Sequence, residues 1–276
     1  MATPIGNLGD ITVRALETLA SCDVIACEDT RASRTLCDRY GISTPLTAYH
    51  DHNGDRARPA LLKRLEQGQS VALISDAGTP LIADPGYKLV EAARDARHSV
   101  VAIPGPSAII TALSIAGLPT DRFLFAGFLP SKASARRRVL EELNRERHTL
   151  CFYEAPSRLA DTLESLVDIF GGGRPARVAR ELTKRFETIQ GETLAELADH
   201  YRLQEKPRGE IVILVGPAPP TAPDADELDA ALRQALVTES LKDAAKQVAQ
   251  SFGLRRRDVY QRALELTADE HDEEGD

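Results

Sequence analysis

Short apolar or β-branched segments alternate with longer amphipathic segments along most of the chain. The short segments predict strands at 23–27, 71–74, 100–103, 149–153, 177–180 and 210–215. The longer segments predict helices at 12–20, 59–67, 86–96, 108–116, 133–144 and 159–170. Because strand–helix–strand alternation requires crossover connections, the pattern predicts an α/β fold whose sheets are mainly parallel.

Two features divide this pattern into domains. The helix at 108–116 is almost wholly apolar, which predicts burial, and it stops at Gly117 with Pro119 following. Four prolines between residues 217 and 223 exclude a regular helix or strand and indicate a linker. We therefore predict two α/β domains and a small helical module in the following order: 1–120, 121–216, a linker over 217–225, the module over 226–267 and an acidic tail over 268–276.

Charge is distributed unevenly along the 276 residues, whose net charge is −8. The last eight residues carry six carboxylates, and without them the net charge is −2. The rest of the chain therefore has room for basic patches, and two arginine triplets stand out, at 136–138 and 255–257. Nucleic acid is consequently not excluded as a partner.

Membrane, secreted and metal-binding classes receive no support from the sequence. No apolar run approaches the roughly 20 residues of a membrane helix, and no secretory leader is evident. The four cysteines form no Cys-x-x-Cys pair, which favours reduced thiols in a cytoplasmic protein. His50 and His52 lack a third ligand at suitable spacing, so no metal site is predicted.

The helical module has the spacing of a helix-turn-helix. Ala249 is a small residue facing the turn, Gly253 lies at the turn, and Arg255, Arg256 and Arg257 open the second helix. These arginines are expected to bind RNA phosphate. A plain helix-packing or dimerisation module is the alternative.

Three loops rich in Gly, Pro, Ser and Asp are candidates for a ligand site. They are found at 3–10, 75–86 and 104–108, and the last two follow predicted strands. In α/β folds ligands bind beyond the carboxyl ends of the strands. Neither a Gly-x-Gly-x-x-Gly motif nor a Walker lysine loop is present, which removes the usual support for a dinucleotide or a nucleoside triphosphate.

The motifs occur in an order typical of one protein family. They include Thr-Pro-Ile-Gly-Asn-Leu at 3–8, Glu-Asp-Thr-Arg at 28–31, Ser-Asp-Ala-Gly-Thr-Pro at 75–80, Pro-Gly-Pro-Ser-Ala at 104–108 and Arg-Glu-Leu-Thr-Lys at 180–184. From residue 2 to about residue 266 the chain resembles the small-subunit (16S) ribosomal RNA (cytidine-2′-O)-methyltransferases of the tetrapyrrole-methylase superfamily. The resemblance implies a homodimer of two-domain α/β subunits that bind S-adenosylmethionine between the domains and methylate a ribose in the decoding centre.

The resemblance also implies which residues contact the cofactor. They come from the Gly- and Pro-rich loops and from a strand end of the second domain: Pro4, Asp76, Gly78, Ser107, Ala108, Tyr153 and Glu154. Two departures from the family pattern stand out. Ser157 occupies a position where a histidine is usual, and the chain begins at Met1 without the apolar first strand of the family. We expect the natural protein to be longer and this chain to lack that strand.

A ribose hydroxyl is a poor nucleophile near pH 7, so a base or a charge-stabilising group is expected. The candidates are Asp29, Arg31 and His52, which would contact RNA or orient the nucleophile. Alternatively, Asp29 and Arg31 pair with each other and His52 caps a turn. Arg136 and Arg137 either bind phosphate or form the solvated face of their helix.

Two other functions remain open from the sequence. A tetrapyrrole methyltransferase would share the fold and cofactor, but it would need a Gly-x-Gly first loop that residues 3–8 lack. A non-enzymatic nucleic-acid-binding regulator would use the helical module, but it would leave the cleft between the domains without a function.

Overall fold

A computed structural model describes residues 1–204, 206–219 and 225–273 of the chain. The chain divides into two compact units, Met1–Pro217 and Ala218–Asp276, which are described separately. Helices and sheets alternate in the first unit and the second is helical, so the predicted fold class is confirmed. Among the described residues, no helix has both the length and the apolar character needed to cross a membrane.

The first sheet has three parallel strands in the order β2-β1-β3. Its strands are β1 (Val24–Cys27), β2 (Leu46–Ala48) and β3 (Val71–Ile74). Around it lie α1 (Val13–Ser21), α2 (Thr30–Arg39), α3 (Gly54–Glu66) and α4 (Tyr87–Asp95). All four residues of β1 are buried, as expected for a parallel strand covered on both faces.

The predicted strand at 100–103 is wrong. The segment belongs to no strand, and Val101 is 72% exposed. A strand requires a neighbour along its length, whereas here the Ala2 amide donates a single backbone hydrogen bond to the Ile103 carbonyl at 3.2 Å.

The second sheet has five strands in the order β4-β5-β8-β6-β7. They are β4 (Phe123–Phe128), β5 (Thr149–Glu154), β6 (Ala176–Arg180), β7 (Thr188–Gln190) and β8 (Ile211–Val215). Among the described strands of this sheet, β4 and β5 pair in parallel, whereas β8 lies between β5 and β6 and runs against both, and β7 runs against β6. The expectation of mainly parallel sheets is therefore wrong for this one.

The helices of the second sheet include the apolar one between the two sheets. They are α5 (Ala108–Ala116), α6 (Ala133–Leu143), α7 (Leu159–Phe170) and α8 (Leu194–Leu203). Ile109, Ala112 and Leu113 of α5 pack in one cluster with Val212 and Leu214 of β8. The burial predicted for this helix is found on one face only: Ile109, Ala112, Leu113 and Ala116 are buried, whereas Ile110 and Ile115 are exposed at 54% and 45%.

The second unit consists of α9 (Ala225–Leu236), α10 (Leu241–Phe252) and α11 (Arg256–Glu273). Ala245 and Ala249 of α10 are buried in the same cluster as Val259 of α11, and Gly253 ends α10 in a left-handed conformation with φ of 66°. The predicted helix-turn-helix geometry is thus present. The final helix continues to Glu273, beyond the predicted start of a tail at 268, and residues 220–224 of the predicted linker lie outside the described residues.

A buried arginine joins the segment between α6 and β5 to the residue that follows β8. Arg174 is 3% exposed and donates to the carbonyls of Gly216 at 2.8 Å, Asn144 at 3.1 Å and Glu146 at 3.2 Å. Its guanidinium also lies 4.4 Å from the centre of the Phe170 ring. Burial lowers the pKa of Arg174 to about 10, so it stays charged at neutral pH and its hydrogen bonds are charge-assisted.

We expect Arg174→Met to lower the free energy of unfolding by about 2–4 kcal/mol, because three carbonyls lose their donor while the apolar stem is kept. Urea unfolding followed by circular dichroism measures the change. Arg177→Met is the matched control, since among the described residues the Arg177 side chain donates to one carbonyl, that of its neighbour Ala176. Equal effects of the two substitutions would show that the Arg174 bonds do not stabilise the fold.

Candidate active site

The loops singled out in the sequence meet in one cleft of the first unit, between the two sheets. Its volume is about 380 Å³, within the roughly 300–1,000 Å³ of small-molecule sites. The walls come from both halves of the unit: residues 5, 76–79, 82–84 and 107–108 on one side, and 128, 153–156, 182 and 209–212 on the other.

The first loop is held against the second by backbone pairing. Thr3 and Gly78 exchange hydrogen bonds of 2.9 and 3.0 Å, and the Thr3 hydroxyl donates to the Ser75 carbonyl at 3.1 Å. Of the predicted cofactor contacts, Pro4 is buried and does not line the cleft, whereas its neighbour Ile5 does. The loop therefore contributes to the cleft wall through Ile5.

Asp76, Gly78, Ser107 and Ala108 line the cleft, as the resemblance implied. Asp76 follows β3 and is exposed, and its carboxylate accepts a hydrogen bond of 2.9 Å from the Asp29 amide. Because the four lining residues lie after β3 or at the start of α5, their backbone groups and side chains can contact a ligand.

Tyr153 and Glu154 both border the cleft, but their side chains differ in role. Burial raises the pKa of the Tyr153 phenol to about 12, so it remains a neutral hydrogen-bond donor. The Glu154 carboxylate is fully buried and accepts from the Thr162 hydroxyl at 2.6 Å and the Ala155 amide at 2.7 Å, and it pairs with Arg158 at 3.2 Å. These contacts argue against the predicted contact between that carboxylate and a cofactor.

The three candidate catalytic residues lie outside the cleft lining. Asp29 caps α2 and pairs with Arg31 at 2.9 Å, and the Arg31 hydrogen bond lowers the pKa of Asp29 to about 2. Such a carboxylate is a weak proton acceptor, and the alternative of mutual pairing is the arrangement found. The Arg31 side chain is 90% exposed.

His52 is exposed in the turn before α3, and its ring lies edge-on to His50 with 6.1 Å between centroids. Within residues 1–204, 206–219 and 225–273, no group of three or more histidines, cysteines and carboxylates is placed to hold a metal ion. An RNA contact by His52 or Arg31 stays a prediction.

The sequence did not single out Asp84, which also lines the cleft. It follows Leu81 and Ala83, two non-glycine residues with positive φ of 72° and 63°. Such conformations cost about 1–3 kcal/mol each and cluster at ligand sites. Burial raises the pKa of the half-buried Asp84 carboxyl, which suits it to proton exchange with a bound hydroxyl.

Both arginine triplets are exposed except for one member, Arg136. Arg136 is 6% exposed and donates to the Ser165 hydroxyl at 3.0 Å, which joins α6 to α7 and argues against the predicted phosphate contact. Arg137 is exposed and pairs with Glu141 along α6 at 2.9 Å. In the second unit, the Arg255 side chain is 86% exposed and pairs with Asp258 at 2.8 Å.

Two protein-family profiles match this chain. Residues 2–198 match the family profile described as tetrapyrrole (corrin/porphyrin) methylases. This chain belongs to the tetrapyrrole methylase family. Residues 222–267 match a second profile, the RsmI C-terminal HTH domain, so the helix-turn-helix expectation for the second unit is confirmed.

Several curated members of the family resemble the chain over nearly its whole length. Proteins named ribosomal RNA small subunit methyltransferase I are 53% identical in Mesorhizobium japonicum, over 96% of this chain and 90% of the relative, and 48% identical in Pseudomonas aeruginosa, over 96% and 95%. The Escherichia coli O157:H7 protein of that name is 48% identical over 95% of this chain and 93% of its own.

Solved structures share the fold of this chain at low sequence identity. The uroporphyrin-III-C-methyltransferase of Thermus thermophilus is 19% identical with a TM-score of 0.56, covering 78% of this chain and 91% of that one. A diphthine synthase is 14% identical with a TM-score of 0.58, covering 78% and 88%. These similarities support the α/β architecture alone.

The buried contacts of Glu154 predict a structural role that separates it from cofactor binding. We expect Glu154→Gln to lower the free energy of unfolding by about 1–3 kcal/mol, because the charge-assisted bonds to Thr162 and Arg158 are weakened. The affinity for S-adenosylmethionine, measured by calorimetry, should stay within about threefold. Glu141→Gln, at an exposed helix pair, is the control. A tenfold loss of affinity at unchanged stability would restore the predicted cofactor contact.

Proposed function

We propose that this chain transfers a methyl group from S-adenosylmethionine to the ribose 2′-hydroxyl of a cytidine in 16S ribosomal RNA. The observation that carries the proposal is the similarity of 44–53% identity to eight proteins named ribosomal RNA small subunit methyltransferase I, each over at least 94% of this chain. The cleft and the helix-turn-helix unit give that activity a binding site and a candidate RNA-docking element.

The cleft fits S-adenosylmethionine in size and in chemistry. Apolar side chains such as Ile5 and Leu182 offer a surface for an adenine ring, and carboxylates such as Asp76 can accept hydrogen bonds from ribose hydroxyls or an ammonium group. Gly78 has φ of 77°, a conformation that favours glycine, and a Cβ there would lie 3.4 Å from Ile5, so glycine lets the first two loops pack closely at the cleft wall. When bound, the cofactor supplies an electrophilic methyl group.

The chain's own residues then orient the acceptor and take up its proton. The recessed walls would exclude water and position the ribose hydroxyl beside the cofactor, and such positioning contributes much of the acceleration. Asp84 fits as the proton acceptor because it lines the cleft and burial raises the pKa of its carboxyl. The neutral Tyr153 phenol can donate a hydrogen bond to a ligand group.

The resemblance further supports a homodimer that acts on small ribosomal subunits in the cytoplasm.

The three candidate functions are separated by one assay. Purified protein and labelled S-adenosylmethionine are added to small subunits, to naked 16S rRNA and to precorrins. We expect label in the rRNA at a phosphodiester that resists alkaline hydrolysis, since a 2′-O-methyl group blocks that cleavage. Label in precorrins would support a tetrapyrrole methyltransferase, and RNA binding without transfer to any acceptor would support a regulator.

Filling the cleft should weaken cofactor binding without disturbing the backbone. Ala108 lies at the start of α5 and lines the cleft, so we expect Ala108→Leu to lower the affinity for S-adenosylmethionine at least tenfold, about 1.4 kcal/mol, by calorimetry. Ile110→Leu is the control on an exposed position of the same helix. Unchanged affinity in Ala108→Leu would remove this wall from the cofactor site.

The second unit is proposed to dock RNA through Arg255, Arg256 and Arg257. Replacing all three by Ala should reduce methylation of small subunits and flatten the salt dependence of binding by up to about three phosphate contacts. Cofactor affinity should stay within about twofold. The control removes three exposed cations of the first unit, Lys63, Arg94 and Arg202. Equal losses in both triple variants would indicate a general charge effect and contradict docking by this helix.

A further inference from the structure

An exposed aromatic side chain stands at the cleft because of an irregularity in β4. The parallel register pairs Phe125 with Cys151 but Phe128 with Tyr153, so Ala126 and Gly127 together oppose a single residue of β5. Gly127 has φ of 66°, a conformation that favours glycine. Residues three apart in a regular strand point to opposite faces, and this bulge brings Phe125 and Phe128 to the same face.

Three aromatic rings are in contact on that face. Tyr153 lies between the other two, with centroid distances of 4.9 Å to Phe125 and 5.5 Å to Phe128. Phe125 and Tyr153 are half-buried, whereas Phe128 is 57% exposed and lines the cleft. Phe128 is therefore a ring supported by its neighbours with much of its surface open.

The proposed reaction predicts a binding partner for such a ring, namely an unpaired RNA base. An enzyme that reacts at one nucleotide in a recessed cleft must draw that nucleotide out of its stack, at a cost of a few kcal/mol. Proteins recover that cost by stacking unpaired RNA bases on aromatic side chains. Leu129, the next residue, is 2% exposed and lies in the core, so the backbone that carries Phe128 is anchored.

We propose that Phe128 stacks on the base of the nucleotide whose ribose enters the cleft. This inference rests on the proposed rRNA methyltransferase function and adds to it a base-binding position. The stack carries no hydrogen bond, so it holds the base without reading its identity.

The test compares Phe128→Ala and Phe128→Leu with the unaltered protein. Both should raise the KM for small subunits about 5- to 150-fold, because stacking on one base contributes about 1–3 kcal/mol. The Kd for S-adenosylmethionine, measured by calorimetry, should stay within about threefold. Phe128→Tyr should have a KM close to that of the unaltered protein, since it keeps the aromatic ring. Tyr87→Ala removes an aromatic that is 65% exposed on α4 and should have no effect.

The absence of tryptophan from the sequence allows a direct observation of stacking. Phe128→Trp introduces the only indole, and its fluorescence, excited at long wavelength, should be quenched by naked 16S rRNA and not by S-adenosylmethionine. Quenching by the cofactor with an equal loss of cofactor affinity in Phe128→Ala would assign the ring to the cofactor adenine. A change of oligomeric state in Phe128→Ala would assign it to a subunit interface. Either result overturns the proposal.

Failure of this inference is distinguishable from failure of the function. If the unaltered protein methylates small subunits and Phe128→Ala does so with the same KM, only base stacking is wrong. If the unaltered protein transfers no methyl group to rRNA, the proposed function is wrong.

Discussion

The packing of α5 on the second sheet holds the two sides of the cleft together. Its buried residues share one apolar cluster with strand residues such as Cys151 and Val212, while Ser107 and Ala108 at its start line the cleft. The loop before α5 is joined to the loop after β3 by a hydrogen bond of 3.2 Å, which the Thr79 hydroxyl donates to the Pro106 carbonyl. Since close-packed interiors resist deformation, the width of the cleft follows from this packing.

Much of the fold could be predicted from apolar runs, and the misses have physical causes. β3 and α5 begin and end where the sequence predicts, because each is bounded by Gly-, Pro- or Ser-rich turns. β2 and β7 were missed, as they are three residues long and only half-buried. The direction of β8 was not readable either, since a strand buried on both faces has the same pattern in either direction.

At the site, the sequence indicated which loops meet but not how each side chain is used. Asp76 and Ala108 border the cleft as implied, yet the Glu154 carboxylate points into the protein, where its partners are eight or fewer residues away in sequence. Asp84 could not be found from spacing, because its raised pKa arises from tertiary burial. The positive φ of the neighbouring Leu81 and Ala83 could not be predicted either, because leucine and alanine rarely adopt that conformation.

The fold by itself does not determine which molecule receives the methyl group. Solved structures of the same architecture have names as different as uroporphyrin-III-C-methyltransferase and diphthine synthase. Since function depends on sites added to a fold, acceptor choice must depend on particular side chains rather than on the architecture. Two features of this chain bear on that choice: the bulge that exposes Phe128 in the first unit, and the exposed Arg255 of the second unit. An aromatic ring suits an unpaired base and a guanidinium suits phosphate, so both features are compatible with RNA as the acceptor.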